Sequence, residues 1–136
     1  MKAVIDTNVL VYRAIKDSKN HIKALNIMNK LEEWIVPPIV IHELVLVLSE
    51  LLSMKEALEF TKALLNNRKT KIPSENGEDL KWAINTLCRE KISVLRLNDK
   101  IILYTALKHE IPLLSFDKQA LSQASRLGVA QINPYT

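Results

Sequence analysis

The chain has 136 residues, a net charge of +4 and a pI of about 9.2. This length and a 48% hydrophobic composition are typical of one soluble domain, so we expect residues 1–136 to fold around a single core. The two glycines are too few for the glycine-rich loops that bind nucleotide phosphates, which excludes those motifs. The basic excess suits an anionic partner such as nucleic acid, although many basic proteins bind none.

Cysteine usage and hydropathy indicate a cytoplasmic protein. The one cysteine, Cys88, has no partner for a disulfide within the chain, and the three histidines are too scattered to build a zinc site with it. The apolar start at residues 1–5 is too short for a signal peptide. The longest apolar stretch, 35–52, is interrupted by prolines and charged residues, so we expect no membrane span.

Apolar periodicity in the first half of the chain predicts a mixture of strands and helices. In chain order these are a strand over 2–5, a helix over 8–15, a helix over 21–33, a strand over 34–36, and helices over 38–52 and 55–66. Asp6 or Thr7 is expected to cap the first helix through a side-chain oxygen. Pro38 suits the first turn of its helix, which is apolar nearly all round and therefore predicted to be buried in the core or in a subunit interface.

The second half continues the alternation. Its predicted elements are a strand over 70–72, a helix over 75–89, a helix capped by Asn98-Asp99 that runs to His109, a strand over 112–115, a helix over 118–127 ended by Gly128, and a strand over 129–132. This order predicts an α/β fold with three layers, α/β/α, around a central and mostly parallel sheet. In such folds the functional site lies beyond the carboxyl ends of the strands.

Four acidic residues stand immediately beside segments that we expect to be buried. Asp6 and Asp117 follow predicted strands, Asp99 opens a helix, and Glu43 interrupts an apolar helix. Carboxylates that crowd near a core repel one another and lose hydration. A divalent cation such as Mg²⁺ makes the same crowding favourable, because its preferred ligands are oxygens.

Each acid also has an ordinary structural explanation when it is taken alone. Asp6 and Asp99 suit helix caps, Glu43 suits an exposed strip beside His42, and Asp117 suits a turn. The order and context of all four decide between these explanations and a shared metal site.

That order resembles the PIN-domain nucleases, and within them the VapC-type toxins of toxin–antitoxin pairs. The resemblance covers the whole chain and rests on four segments. They are Val4-Ile5-Asp6-Thr7-Asn8, Glu43 in the helix after Pro37-Pro38, residues 97–109 around Asp99, and residues 111–117 ending in Ser115-Phe116-Asp117.

The resemblance implies a PIN-like fold and an endoribonuclease that depends on Mg²⁺ or Mn²⁺. It implies that Asp6, Glu43, Asp99 and Asp117 are catalytic and hold the metal, and that Ser115 holds a metal-bound water. It also implies that Thr7 or Asn8 lies beside the acidic cluster and supports it with a polar side chain. The implied partners are an RNA substrate, a second copy of the chain in a homodimer, and a small antitoxin protein that covers the cleft.

Several basic and aromatic residues have two explanations. Lys100 follows Asp99 where the family commonly has a small residue; we expect it to point to solvent rather than to a phosphate. Basic residues between 55 and 100 line a groove for the RNA backbone or coat solvated helix faces. Trp82 is expected in the core rather than against a base.

Other functions remain open at this stage. A phosphatase of the haloacid dehalogenase kind needs a second Asp two residues after the first, where this chain has Asn8. A response-regulator receiver needs a phosphoacceptor Asp after its third strand, and none suits. Ribosomal RNA processing and a non-catalytic RNA-binding or assembly module are the remaining alternatives.

Overall fold

The computed structural model describes all residues, 1–136, and contains one five-stranded sheet. The strands are β1 (Lys2–Ile5), β2 (Glu33–Ile35), β3 (Thr70–Lys71), β4 (Leu113–Leu114) and β5 (Gln131–Ile132). They lie in the order β3-β2-β1-β4-β5, and every neighbouring pair is parallel. The predicted three-layer α/β/α fold is therefore confirmed, with a sheet that is parallel throughout.

Seven α-helices accompany the sheet. They are α1 (Thr7–Ala14), α2 (His21–Lys30), α3 (Pro38–Leu51), α4 (Met54–Asn66), α5 (Gly77–Glu90), α6 (Leu97–His109) and α7 (Lys118–Arg126), with a short 3₁₀ turn at Val94–Arg96 before α6. No helix combines the length and the apolar character needed to cross a bilayer.

Strand β1 sits at the centre of the sheet and sets the position of the cleft. Its residues Ala3, Val4 and Ile5 are fully buried, as expected for a parallel strand covered on both faces. In the sheet, β2 lies on one side of β1, and β4, which comes later in the chain, lies on the other side. A crevice forms at the carboxyl end of a strand where the winding direction changes in this way.

Most predicted boundaries lie within two residues of the observed ones, and the differences at two helices have structural consequences. The second predicted helix ends early, at Lys30, because Glu33 instead pairs in register with Lys2 as part of β2. Helix α6 begins at Leu97, so Asn98 and Asp99 lie in its first turn instead of capping it. Their side chains are consequently free to reach across the cleft.

Lys100 contradicts the expectation that it points to solvent. It is fully buried, and its Nζ donates to Glu90 Oε2 at 2.5 Å and to Gln123 Oε1 at 2.8 Å. The side chain thus connects α6 to the end of α5 and to α7. A buried ammonium is tolerated here because both of its partners accept hydrogen bonds from it.

Replacing Lys100 with Ala is expected to destabilise the fold by about 2 kcal/mol. Removing one partner of a buried pair costs roughly 3–5 kcal/mol, and the partial exposure of Glu90 reduces that cost. Urea unfolding measures the change. The control Lys62→Ala alters an exposed lysine on α4 and should change stability by less than about 0.5 kcal/mol. Equal effects of the two variants would contradict the structural role of Lys100.

Candidate active-site cleft

One cleft at the carboxyl end of β1 collects all four predicted acids. It has a volume of about 320 Å³ and is lined by Asp6, Thr7, Asn8, Val11, Tyr12, Glu43, Val47, Asp99 and Asp117. The acids come from the end of β1, from α3, from α6 and from the start of α7. Residues far apart in sequence therefore face one space.

Asp6 is the most enclosed of the four acids, with 7% of its surface exposed. As the N-cap of α1, it accepts a hydrogen bond from Thr7 N at 2.7 Å through Oδ1. Its Oδ2 accepts from Ser115 Oγ at 2.7 Å and from Asn8 Nδ2 at 3.2 Å. Asp6 is thus both a helix cap and a member of the cleft, and its role as a metal ligand stays a prediction.

Burial raises the pKa of Asp6 from 3.8 to about 6, because an ionised carboxylate loses hydration there. The hydrogen bond from Ser115 opposes this rise, whereas the nearby charges of Asp99 and Glu43 add to it. Asp99 and Glu43 therefore add to the cost of ionising Asp6, and burial is the larger cause.

Ser115 and Asn8 fix the geometry beneath the cleft. Ser115 is fully buried, and its Oγ accepts from Asp117 N at 3.0 Å while donating to Asp6. Asn8 Oδ1 accepts from Phe116 N at 2.9 Å. These bonds join the end of β4 to the start of α1. The predicted role of Ser115 in holding a metal-bound water stays a prediction, because its hydroxyl contacts a carboxylate in this structure.

Glu43 points into the cleft and not into the solvent strip beside His42. Thr7 Oγ1 donates to Glu43 Oε1 at 2.7 Å, and Asn98 Nδ2 donates to Glu43 Oε2 at 3.1 Å. Both carboxylate oxygens are therefore held, one from α1 and one from α6. Sequence reasoning expected Asn98 to be a helix cap and missed this contact.

Arg96 is the cation of the cleft. Its Nη1 donates to Asp99 Oδ2 at 2.9 Å and to Asp117 Oδ2 at 3.2 Å, and its Nη2 donates to Gln119 Oε1. The hydrogen bond to Asp99, with further contributions from the charges of Asp99 and Asp117, raises the pKa of Arg96. Sequence reasoning counted Arg96 only among the basic residues. Its spacing of three residues before Asp99 was the available signal.

The donor chemistry of the cleft fits a hard divalent cation. All of its candidate ligands are oxygens, which Mg²⁺ and Mn²⁺ prefer. No three of the acidic, histidine or cysteine side chains converge closely enough to hold an ion directly, and Thr7, Asn98 and Arg96 donate hydrogen bonds to Glu43, Asp99 and Asp117. Mg²⁺ commonly keeps several waters and takes only one or two direct carboxylates, so the arrangement suits an ion that is partly held through water.

Without metal, stability should fall as pH rises from about 4 to about 6. The folded-state pKa of Asp6, about 6, lies above its ordinary value of 3.8, so the folded state binds this proton more tightly. The resulting stabilisation, about 3 kcal/mol, is complete below pH 4 and is lost as pH rises through 6. Urea unfolding in a chelator measures the difference between the wild type and Asp6→Asn, which cannot titrate here. A difference that does not change with pH would contradict the buried charge.

Comparison with known proteins gives one family and a consistent fold. The sequence model of the PIN domain matches residues 3–127. A search of curated proteins found no match. The structure is similar to VapC20 of Mycobacterium tuberculosis, a sarcin-ricin loop cleaving toxin, with a TM-score of 0.79 and 14% identity over 89% of this chain and 94% of that one.

Two further solved structures share the fold. VapBC2 from Rickettsia felis, bound to a DNA fragment from its promoter, has a TM-score of 0.69 and 17% identity over 98% of each chain. FitAcB from Neisseria gonorrhoeae has a TM-score of 0.68 and 18% identity over 99% of each chain.

Proposed function

Because the chain belongs to the PIN domain family, we propose that it is a metal-dependent endoribonuclease of the VapC toxin type. The observation that carries this proposal is the crowding of carboxylates around Asp6. A carboxylate whose pKa is raised first by burial and then by the charges of Asp99 and Glu43 is an unfavourable arrangement for a purely structural protein. Perturbed groups of this kind are typical of functional sites.

PIN-domain nucleases generally use divalent metal ions, and Mg²⁺ or Mn²⁺ is the cation we propose here. Asp6 and Asp99 would hold it, with Glu43 and Asp117 completing the site or recruiting a second ion. When bound, the cation acidifies water and offsets charge on the phosphoryl oxygens of a phosphodiester.

The chain's own residues prepare the cleft for this chemistry. Thr7 N and Ser115 Oγ fix the two oxygens of Asp6, so its orientation is set before substrate arrives. Thr7 Oγ1 and Asn98 fix Glu43 in the same way. Such preorganisation avoids reorganising the site during the reaction.

Arg96 compensates for part of the negative charge. It pairs with Asp99 and Asp117 at the cleft, where RNA phosphates must approach several carboxylates. A guanidinium is well suited to contact both carboxylate and phosphate oxygens. We therefore assign Arg96 to neutralising the cleft and to attracting the phosphodiester.

A toxin role is supported by the solved structures that share the fold. One of them is a toxin that cleaves the sarcin-ricin loop, and another is a toxin–antitoxin complex from Klebsiella pneumoniae. We propose by analogy an RNA substrate, a cytoplasmic location and a small antitoxin partner for this chain. Copurification with the product of an adjacent short gene would test the antitoxin.

A homodimer is proposed from exposed apolar residues on α3 and α4. Leu46 is 67% exposed, Met54 71% and Leu58 49%, and the two helices that carry them pack against each other. Contiguous exposed apolar surface is typical of interaction sites. The side of α3 that carries Val40, Leu44 and Leu48 is buried instead. Light scattering should give twice the chain mass of 15.5 kDa; a monomer at working concentration would contradict the dimer.

Asp6→Asn should abolish RNA cleavage in Mg²⁺ or Mn²⁺ while preserving the fold. The variant removes the negative charge that we assign to the metal but keeps the size of the side chain. We expect a loss of roughly a hundredfold or more in rate, measured on single-stranded RNA with circular dichroism as the folding check.

The matched control is Asp17→Asn, the same chemical change at an exposed position outside the cleft. It should cleave like the wild type. Undiminished cleavage by Asp6→Asn, or RNA binding without any cleavage by the wild type, would reject the nuclease assignment.

A further inference from the structure

A row of three aromatic rings runs from the acidic cleft to the surface. Tyr12 lines the cleft, and its ring meets Phe116 edge to face at 4.9 Å. Phe116 meets Tyr135 in the same way at 6.0 Å. The Tyr135 hydroxyl donates to Phe116 O at 2.8 Å, and 46% of Tyr135 is exposed. Tyr135 is therefore a fixed surface ring that is connected to the cleft residue Tyr12 through Phe116.

Two lysines from different helices meet at this ring. Lys118 Nζ lies 4.9 Å from the centroid of Tyr135, and Lys23 Nζ lies 5.7 Å from it. Neither lysine pairs with a carboxylate in the structure. The adjacent Asp117 is already held by Arg96. Two ammonium groups without carboxylate partners thus concentrate positive charge around one exposed ring. An anion that binds beside the ring would be attracted by both.

A polar groove of about 390 Å³ continues from Lys118 along α7 and β5. Its polar lining is Lys118, Ser122, Ser125, Arg126, Gln131 and Asn133. The lining thus combines two cations with hydroxyl and amide groups and contains no acid. These are the side chains that contact the phosphates and sugars of nucleic acids.

We propose that Lys23, Lys118 and Tyr135 form a phosphate-binding subsite for the RNA strand that leaves the acidic cleft, and that the strand continues along the polar groove. This inference rests on the proposed nuclease function and assigns a path to its substrate. Lys118 directly follows Asp117, which lines the cleft, so the subsite adjoins the proposed position of the scissile phosphate.

Two lysines would also attract an acidic peptide. The residues that line the adjoining polar groove favour RNA instead. The groove has Leu121 as its one apolar lining residue, whereas peptide grooves rely on apolar pockets for side chains. The groove also carries two cations, Lys118 and Arg126, which successive phosphates of one strand would contact.

The subsite is tested by the salt dependence of binding to a single-stranded RNA oligonucleotide. All proteins carry Asp6→Asn so that the RNA stays intact, and fluorescence anisotropy gives Kd across a salt series. Each phosphate contact contributes about 0.7 to the slope of log K against log salt for single strands. The double variant Lys23→Gln/Lys118→Gln should therefore lower the slope by about 1.4.

The control is Lys2→Gln/Lys30→Gln, which removes the same charge from exposed positions at the start of β1 and the end of α2, outside both the cleft and the polar groove. It should retain the full slope. Tyr135→Phe keeps the ring and should bind RNA like its parent, whereas Tyr135→Ala should weaken binding because the lysines lose the ring that gathers them.

Three outcomes would overturn the subsite. The first is an unchanged slope in the Lys23/Lys118 variant, and the second is an equal loss in the control. The third is that the Lys23/Lys118 variant loses affinity for polyglutamate but keeps its affinity for RNA. That result would assign the surface to an acidic protein partner. RNA cleavage by the unmodified chain separates these outcomes from failure of the proposed function, since cleavage persists if only the subsite is wrong.

Discussion

The structure depends on a carboxylate buried at the end of its central strand. Asp6 closes β1, where the winding of the sheet changes direction, and only 7% of it is exposed. Its burial costs free energy, as its raised pKa of about 6 records. Three hydrogen-bond donors, Thr7 N, Asn8 Nδ2 and Ser115 Oγ, lower that cost without removing it. A bound divalent cation would offset the remaining cost, because it attracts the carboxylate oxygens.

The hydrogen bonds of Asp6 also connect the elements that supply the other acids. Thr7 donates its N–H to Asp6 and its hydroxyl to Glu43, so α1 sets the separation between β1 and α3. Asn98 reaches the second oxygen of Glu43 and brings in α6. Arg96 then joins Asp99 to Asp117. Neutral donors thus orient Asp6 and Glu43, and Arg96 orients Asp99 and Asp117. These bonds hold the four carboxylates around one cleft although their negative charges repel one another.

The sequence predicted the α/β/α architecture because apolar periodicity is a local pattern. Asp6 follows β1, Asp117 lies three residues after the end of β4, and parallel strands end at one edge of the sheet. The assignment of the four acids to a metal site came from the family resemblance and stays a prediction. Arg96 had only its spacing of three residues before Asp99 as a signal, and the contact of Asn98 with Glu43 had none. Both contacts depend on where the 3₁₀ turn at Val94–Arg96 and the first turn of α6 meet the cleft. Lys100 was misplaced for a similar reason, because its burial depends on Glu90 and Gln123 in other helices. The early end of α2 follows from the register of β2 on β1, which is a tertiary constraint.

The central claim is that these acids are gathered because a divalent cation makes their proximity favourable. Anomalous diffraction from a crystal soaked in Mn²⁺ tests it most directly. The account predicts one strong peak in the cleft between Asp6 and Asp99, and its loss in a crystal of Asp99→Asn. Saturating Mn²⁺ with no peak in the cleft, or a peak that Asp99→Asn leaves unchanged, would contradict it.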